Sequence, residues 1–362
     1  MLESAFSYLT TTSGSYSNYA SKTTDIVVIN NGGTPIVSSG TYGMISLAIN
    51  NTTGGDTGSV LTINSGATLT VNNTSATAAA VAITLKGGSI VNNGTLNATA
   101  TNTGASFGIA CLVPSVAPSS ATEYGYSGSG TLNISTTLGN ASSGGIQFNG
   151  TSANTTYKML FNGTTTFSLN NTALAVYALR VVDGAKNPII IGGAGFTLGT
   201  VGAPVNYGLL IMGNNGNNVT VNTGTTLTLN SAATNTAMGI NILQTTAASA
   251  DVNFTNKGTV AILGASSSAG INLSVNNSGN TLPAINKINF ENQGTLNVDV
   301  AIGSSSNNAA LRVPATTGQG LVTITNTATG VLNLKNSQPF TSVTGCPIRI
   351  FAATGTPAVT IN

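Results

Sequence analysis

One repeated interruption limits what this chain can fold into. An alternating apolar segment breaks at a polar turn ending in Gly, and the alternation then resumes. Copies such as VLTINSGATLTV, SIVNNGTLNA, VNFTNKGTVAIL and INFENQGTLNV align on Gly33, Gly66, Gly94, Gly130, Gly163, Gly195, Gly224, Gly258, Gly294 and Gly330. Nine intervals separate Gly33 from Gly330, a mean spacing of 33 residues. Self-similarity at such a period marks a solenoid, a propeller or an array.

A third apolar segment follows each copy at a roughly constant offset, as in AAVAITL, YGLLIM, MGINIL, AGINLSV and AALRV. In the ninth copy Ile288 and Phe290 alternate with Asn289 and Glu291. After the turn Leu296, Val298 and Val300 alternate with Asn297 and Asp299, and Leu311 and Val313 then flank Arg312. Period-2 alternation is the pattern of half-buried strands. Three such strands face one interior only if the chain bends at each polar turn and winds back on itself. The predicted fold is therefore all-β: a single-stranded parallel β-helix, or β-solenoid, of about ten three-strand coils of about 33 residues. Helical repeats need apolar residues at i, i+3, i+4 and i+7. A propeller blade needs about 40–45 residues and often a Trp-Asp signature, and this chain has no Trp. A dense Leu consensus for leucine-rich repeats is absent.

Residues 25–362 read as the solenoid, open at its C-terminal end, and residues 1–24 as an N-terminal cap or pairing segment with Tyr8, Tyr16 and Tyr19. A single coil buries roughly six apolar side chains at about 1.5–3 kcal/mol each. Ordering the backbone costs about 1–2 kcal/mol per residue. A lone coil does not fold, and stacking supplies what it lacks. Alternation also turns Asn256, Asn292 and Asn326 inward at the corner before the Gly, where stacked amides bond along the axis as a ladder.

Only 18 residues are charged, Lys+Arg 10 and Asp+Glu 8, there is no His, and Gly contributes 44. Low charge with 41% hydrophobic content is the opposite of a disordered chain. The net charge of +2 is spread over isolated residues, with no basic stripe to neutralise nucleic-acid phosphates. No apolar run approaches the roughly 18 residues that cross a bilayer. The opening MLESAFSYLTTTSGSY has neither the basic start nor the apolar core of a secretory signal, so export is expected to depend on sequence outside this chain.

Without His, the Ser-His-Asp and Cys-His arrangements are impossible, as is a His-bearing zinc site. Carboxylate catalysis needs paired acids on adjacent coils, or a calcium cluster with a basic residue. The acids instead fall at scattered offsets from the next aligned Gly: Asp25, Asp56, Glu123, Asp183, Asp251 and Glu291 form no stacked pair. Glu123 and Asp251 share an offset but lie four coils apart, about 19 Å at the ~4.8 Å strand spacing. The pattern predicts no catalytic residues, no cofactor and no metal site. Cys111 and Cys346 sit seven coils apart, about 34 Å along the axis, far beyond the ~7 Å Cα separation that a disulfide allows. Cys111 reads as a small core residue, and Cys346 opens a strand beside Pro347.

Coils with N-x-G-T-L-x-V turns, inward aliphatics, Asn/Thr/Ser/Gly surfaces and almost no Cys resemble the passenger domains of bacterial autotransporters and related β-helical adhesins. The resemblance covers nearly the whole chain, from about Asp25 to Asn362. It implies export across a Gram-negative outer membrane, anchoring through a region not in this chain, and adhesion, aggregation or host contact. Host or bacterial surface glycans, proteins or further copies of the chain are the partners it implies. The chain departs from the pattern in showing no signal peptide, no C-terminal barrel, no Arg-Gly-Asp triplet and no two-partner-secretion motif. Two functional readings follow: an adhesin with a long uncharged surface, and a subunit that polymerises end to end into a fibre. The fibre reading rests on residues 357–362, PAVTIN, which match the first strand of an eleventh coil with no polar cap after them. A polysaccharide-cleaving β-helix enzyme is the last alternative.

Two sets of residues are candidate ligand contacts. The long connection from Leu112 to Gly130 carries Tyr124 and Tyr126, amphipathic aromatics of the kind favoured at contact sites. Arg312 and Arg349 occupy equivalent places in Leu311-Arg312-Val313 and Ile348-Arg349-Ile350. They are expected on adjacent rungs with both guanidinium groups turned outward, where they would attract an anion such as a sulfated or sialylated glycan.

Overall fold

The structure, a computed structural model, describes residues 26–30, 32–51, 58–74, 79–102, 104–137, 143–150, 154–170, 176–182, 188–199, 207–213, 216–231, 237–244, 251–264, 269–275, 286–301, 309–314, 320–336, 347–350 and 358–362. All regular structure among them is β, and every pairing described is parallel. The chain is a parallel β-solenoid. It passes through three faces in turn, so within each unit a strand bonds to the strand three later in sequence. The expected cap, residues 1–24, lies outside the described residues.

Contacts divide the chain into two compact units, Met1–Val176 with Gly192–Ala194, and Tyr177–Ile191 with Gly195–Asn362. In the first unit the first face stacks Ile26–Ile29, Ser46–Asn50, Ala79–Lys86, Ala105–Leu112 and Gly144–Asn149. Its third face is a five-stranded sheet from Gly40–Met44 to Thr165–Asn170. In the second unit the first face stacks Tyr177–Val181, Tyr207–Met212, Met238–Gln244, Ala269–Val275, Ala309–Val313 and Ile348–Ile350. The third face there is another five-stranded sheet, Gly195–Leu198 to Val331–Asn336. The stack agrees roughly with the ten copies counted in the sequence, with a short extra rung, Ile26–Ile29, before the first aligned Gly.

Inward residues form columns of like side chains across rungs. Phe254 pairs with Phe290 and then Ile324, and Val260 with Leu296 and then Leu332. The Phe254 and Phe290 rings stack at 5.0 Å. Like side chains in register fill one another's space at each step, which is how a narrow core reaches the density of a protein interior.

The turn Gly answers to its neighbour in the adjoining coil. A Cβ on Gly294 would sit 2.1 Å from the Gly258 carbonyl oxygen, so no side chain fits while the rungs keep their spacing. At the preceding corner the Asn ladder runs as expected. Asn256 Nδ2 donates to Asn292 Oδ1 at 2.8 Å, and Asn292 Nδ2 to Asn326 Oδ1 at 2.7 Å. Each amide also donates to a backbone carbonyl across the turn: Asn256 to Thr295 O, Asn292 to Val331 O and Asn326 to Gly330 O. Replacing Asn292 by Ala strands the Val331 carbonyl and takes one bond from each neighbouring amide. A loss of about 3 kcal/mol in urea unfolding is expected, against about 0.5 kcal/mol for Asn333→Ala in the exposed ladder to Asn297. Equal losses would remove the corner ladder's special role.

A second constraint closes the first face onto the third. First-face pairing skips one small residue per strand, among them Ala82, Gly108, Gly239 and Gly270. A Cβ at Gly108 would lie 2.5 Å from Ile134 Cγ2, and one at Gly270 would lie 2.3 Å from Val298 Cγ1. Gly270→Val should therefore cost at least about 1–3 kcal/mol by overpacking. Combining it with Val298→Ala should recover part of that loss in a double-mutant cycle. Strict additivity of the two changes would show that the residues do not share this space.

Candidate functional site

Three of the four candidate contacts, Tyr124, Tyr126 and Arg312, are buried. Thr122–Ser127 is a strand of the second face, paired with Ser89–Asn92 and Thr155–Phe161. Tyr124 is 4% exposed and Tyr126 2%. The excursion from the preceding strand ends by residue 121, so both tyrosines enter the core on an ordinary alternating strand. Tyr124 Oη accepts a hydrogen bond from Asn51 Nδ2 at 3.1 Å, and Tyr126 Oη one from Asn92 Nδ2 at 3.1 Å. Their rings lie 6.4 Å from Tyr157 and 6.0 Å from Phe161. These are structural side chains with their one polar atom satisfied inside.

Arg312 and Arg349 do occupy paired positions on adjacent rungs. The expectation that both guanidinium groups are open to solvent fails for Arg312, which is only 6% exposed. Alternation says which side of a strand a residue takes, not whether that side is covered. Arg312 lies across the strand from the buried Leu311 and Val313, in a column that reads Arg180, Leu210, Asn241, Asn272, Arg312, Arg349 along the rungs. Four of these six, Leu210 through Arg312, are buried.

Within the column the polar groups form a one-directional chain. Arg312 Nε donates to Asn272 Oδ1 at 2.8 Å, Asn272 Nδ2 to Asn241 Oδ1 at 2.8 Å, and Asn241 Nδ2 to Tyr177 Oη at 2.8 Å. The Tyr177 ring packs 4.5 Å from that of Tyr207. Every donor points away from Arg312, and such chains strengthen by mutual polarisation. Burial, and secondarily the neighbouring Arg349 charge, lowers the Arg312 pKa. Asn241, Asn272, Tyr177 and Arg180 escape a search that looks only for charged pairs. The signal was nonetheless present, since GINIL, GINLSV, ALRV and PIRI align with a polar residue at one offset.

The described acids lie on other faces. Glu123 pairs with Lys158 at 2.9 Å beside a shallow depression that Gly125 leaves in the second face, rimmed by Ser89 and Ser127. Asp299 pairs with Lys335 at 3.2 Å on the third. Asp251 Oδ2 accepts from Asn289 Nδ2 at 3.4 Å on the second, the face that also holds Glu291. Asp25, Asp56 and Asp183 lie outside the described residues, as does Cys346. Among the described residues no three metal-ligating side chains converge, and no helix is long and apolar enough to cross a membrane. Cys111 is a free thiol with no exposure, paired in register with Leu85 and Phe148.

Comparison of the chain with protein families, with curated proteins and with solved structures finds no match.

Burial pushes the hydroxyls of Tyr126, Tyr157 and Tyr177 and the Cys111 thiol above their usual values. Unfolding releases them to about 10 for Tyr and 8.5 for Cys. Above those values the unfolded state binds fewer protons than the folded one. Stability is thus fully present at neutral pH and falls as pH rises past about 9. The urea midpoint should decline steeply between about pH 9 and 11, with tyrosinate absorbance from these residues appearing only on unfolding. A flat midpoint over that range would show that these groups already ionise in the folded chain.

Proposed function

We propose that the chain is a non-enzymatic surface module, an adhesin of the autotransporter-passenger kind, which mediates adhesion or aggregation outside the bacterial cell. The observation that carries this reading is the uncharged outer lattice on the third face of the first unit. There Thr68, Thr95 and Thr131 fall in one register column. Thr70, Asn97, Asn133 and Thr166 fall in the next, with Asn133 Nδ2 donating to Asn97 Oδ1 at 2.9 Å and Asn97 Nδ2 to Thr70 Oγ1 at 3.1 Å. Hydroxyls and amides thus repeat every ~4.8 Å along the stack. Such a surface suits many weak, additive contacts with glycans, proteins or further copies of the chain. The resemblance in turn motif and composition supports the extracellular setting.

The test displays the chain on cells and on beads and measures attachment to glycan and protein surfaces and self-aggregation. Introducing Asp at both Thr95 and Thr131 places like charges on adjacent rungs of the lattice. This should cut attachment at least about tenfold while circular dichroism stays unchanged. Attachment that is absent in the unaltered chain, or indifferent to the two substitutions, would overturn the reading. Fibres forming from the purified chain alone would move it to a structural subunit.

A further inference from the structure

All three arginines of the chain, Arg180, Arg312 and Arg349, fall in a single column of the first face in the second unit. Buried charges in proteins are paired or satisfied by several hydrogen bonds, because an isolated buried ion is very costly. Arg312, 94% removed from solvent, makes one hydrogen bond through Nε, and among the described residues neither Nη group has a partner. The described acids lie on other faces, and the two ion pairs there, Lys158–Glu123 and Lys335–Asp299, do not include it. The segments that flank the Arg312 rung in sequence, 302–308 and 314–319, contain no Asp or Glu.

We propose that the Arg312 and Arg349 rungs form an oxyanion site that takes the sulfate or carboxylate group of an acidic polysaccharide. The two guanidinium-bearing strands are adjacent, about 4.8 Å apart. The planar Arg312 fork carries paired N–H donors matched to two oxygens of one anion, and the Arg349 charge one rung away adds to the attraction. The Asn272–Asn241–Tyr177 chain holds the Arg312 fork through Nε and leaves the Nη edge to the ligand. An anion also relieves the like-charge repulsion between neighbouring rungs, which a lone arginine would not face. The polysaccharide part of this proposal rests on the adhesin reading; the oxyanion part stands on the column alone.

The experiment is calorimetric titration of the purified full chain at fixed ionic strength, first with sodium sulfate and then with dextran sulfate, with neutral dextran as control. The unaltered chain should bind both anions saturably, and dextran sulfate more weakly as salt rises. Arg312→Gln should weaken both at least tenfold and Arg349→Gln by several-fold. Should Arg312→Gln fail to fold, Arg312→Met keeps the stem and removes the charge, a change that buried ion sites often tolerate. It should show the same loss. No sulfate binding by the unaltered chain, or sulfate binding undiminished in both Arg312 variants, overturns the site. Sulfate binding without dextran sulfate binding keeps the oxyanion site and removes the polysaccharide as its source. Attachment of displayed cells is measured separately, so loss of the adhesin reading leaves the sulfate result standing.

Discussion

No coil of this chain has a core or a complete set of backbone hydrogen bonds until another coil lies against it. Its strands are short and its turns are polar, and along each face the pairing partner is the strand one coil away. The rest follows from holding coils at ladder distance. Most turn glycines are needed because a neighbouring coil's carbonyl occupies the place of a Cβ, as at Gly294 against Gly258, while Gly66 and Gly224 meet nothing there and instead take a positive φ. Small residues are needed where the first face closes on the third, as at Gly270 against Val298. The composition, rich in Gly, Asn, Thr and Ser and poor in charge, is what a surface of stacked identical positions tolerates, since a charge repeated every ~4.8 Å repels itself.

Much of this was legible because the stack multiplies each local signal. The alternation around Gly294 predicts the two strands on either side of it, and nine other copies repeat the prediction. Asn256, Asn292 and Asn326 were readable as an inward ladder for the same reason: a polar residue kept on the apolar side at one offset needs like neighbours. Tyr124 and Tyr126 read as loop residues because they follow a connection with Pro114 and Pro118, and the point where a loop rejoins a strand has no periodic marker. Their alternation with Glu123, Gly125 and Ser127 was the overlooked signal. Arg312 was assigned to the correct side of its strand and the wrong solvent exposure. What lies over the outer side of a sheet comes from other rungs, as where the Tyr177 hydroxyl meets Asn241 two rungs away, and periodicity within a strand carries no information about that.

The two buried polar columns differ in how they end. In the corner column each Asn uses one amide hydrogen on its neighbour or a backbone carbonyl and returns the rest to the turn, so the column completes itself with groups the fold already supplies. In the first-face column the donors run one way, from Arg312 through two amides to a phenol, and among the described residues the positive end has no such return. Near-equivalent coils with aliphatic cores fit one another in more than one stacking, since Ile, Leu and Val exchange at little cost. Polar columns remove that freedom. A one-coil slip that faced the Asn272 amide with Leu210 would leave buried donors and acceptors unbonded, at about 1–3 kcal/mol for each. The self-completing column can do this at no electrostatic cost. The arginine column adds buried charge to the same task, and register alone does not require charge: a further Asn at position 312 would extend the ladder equally well. A cation held there by an amide chain through Nε, with no further partner among the described residues, is an arrangement suited to an anion.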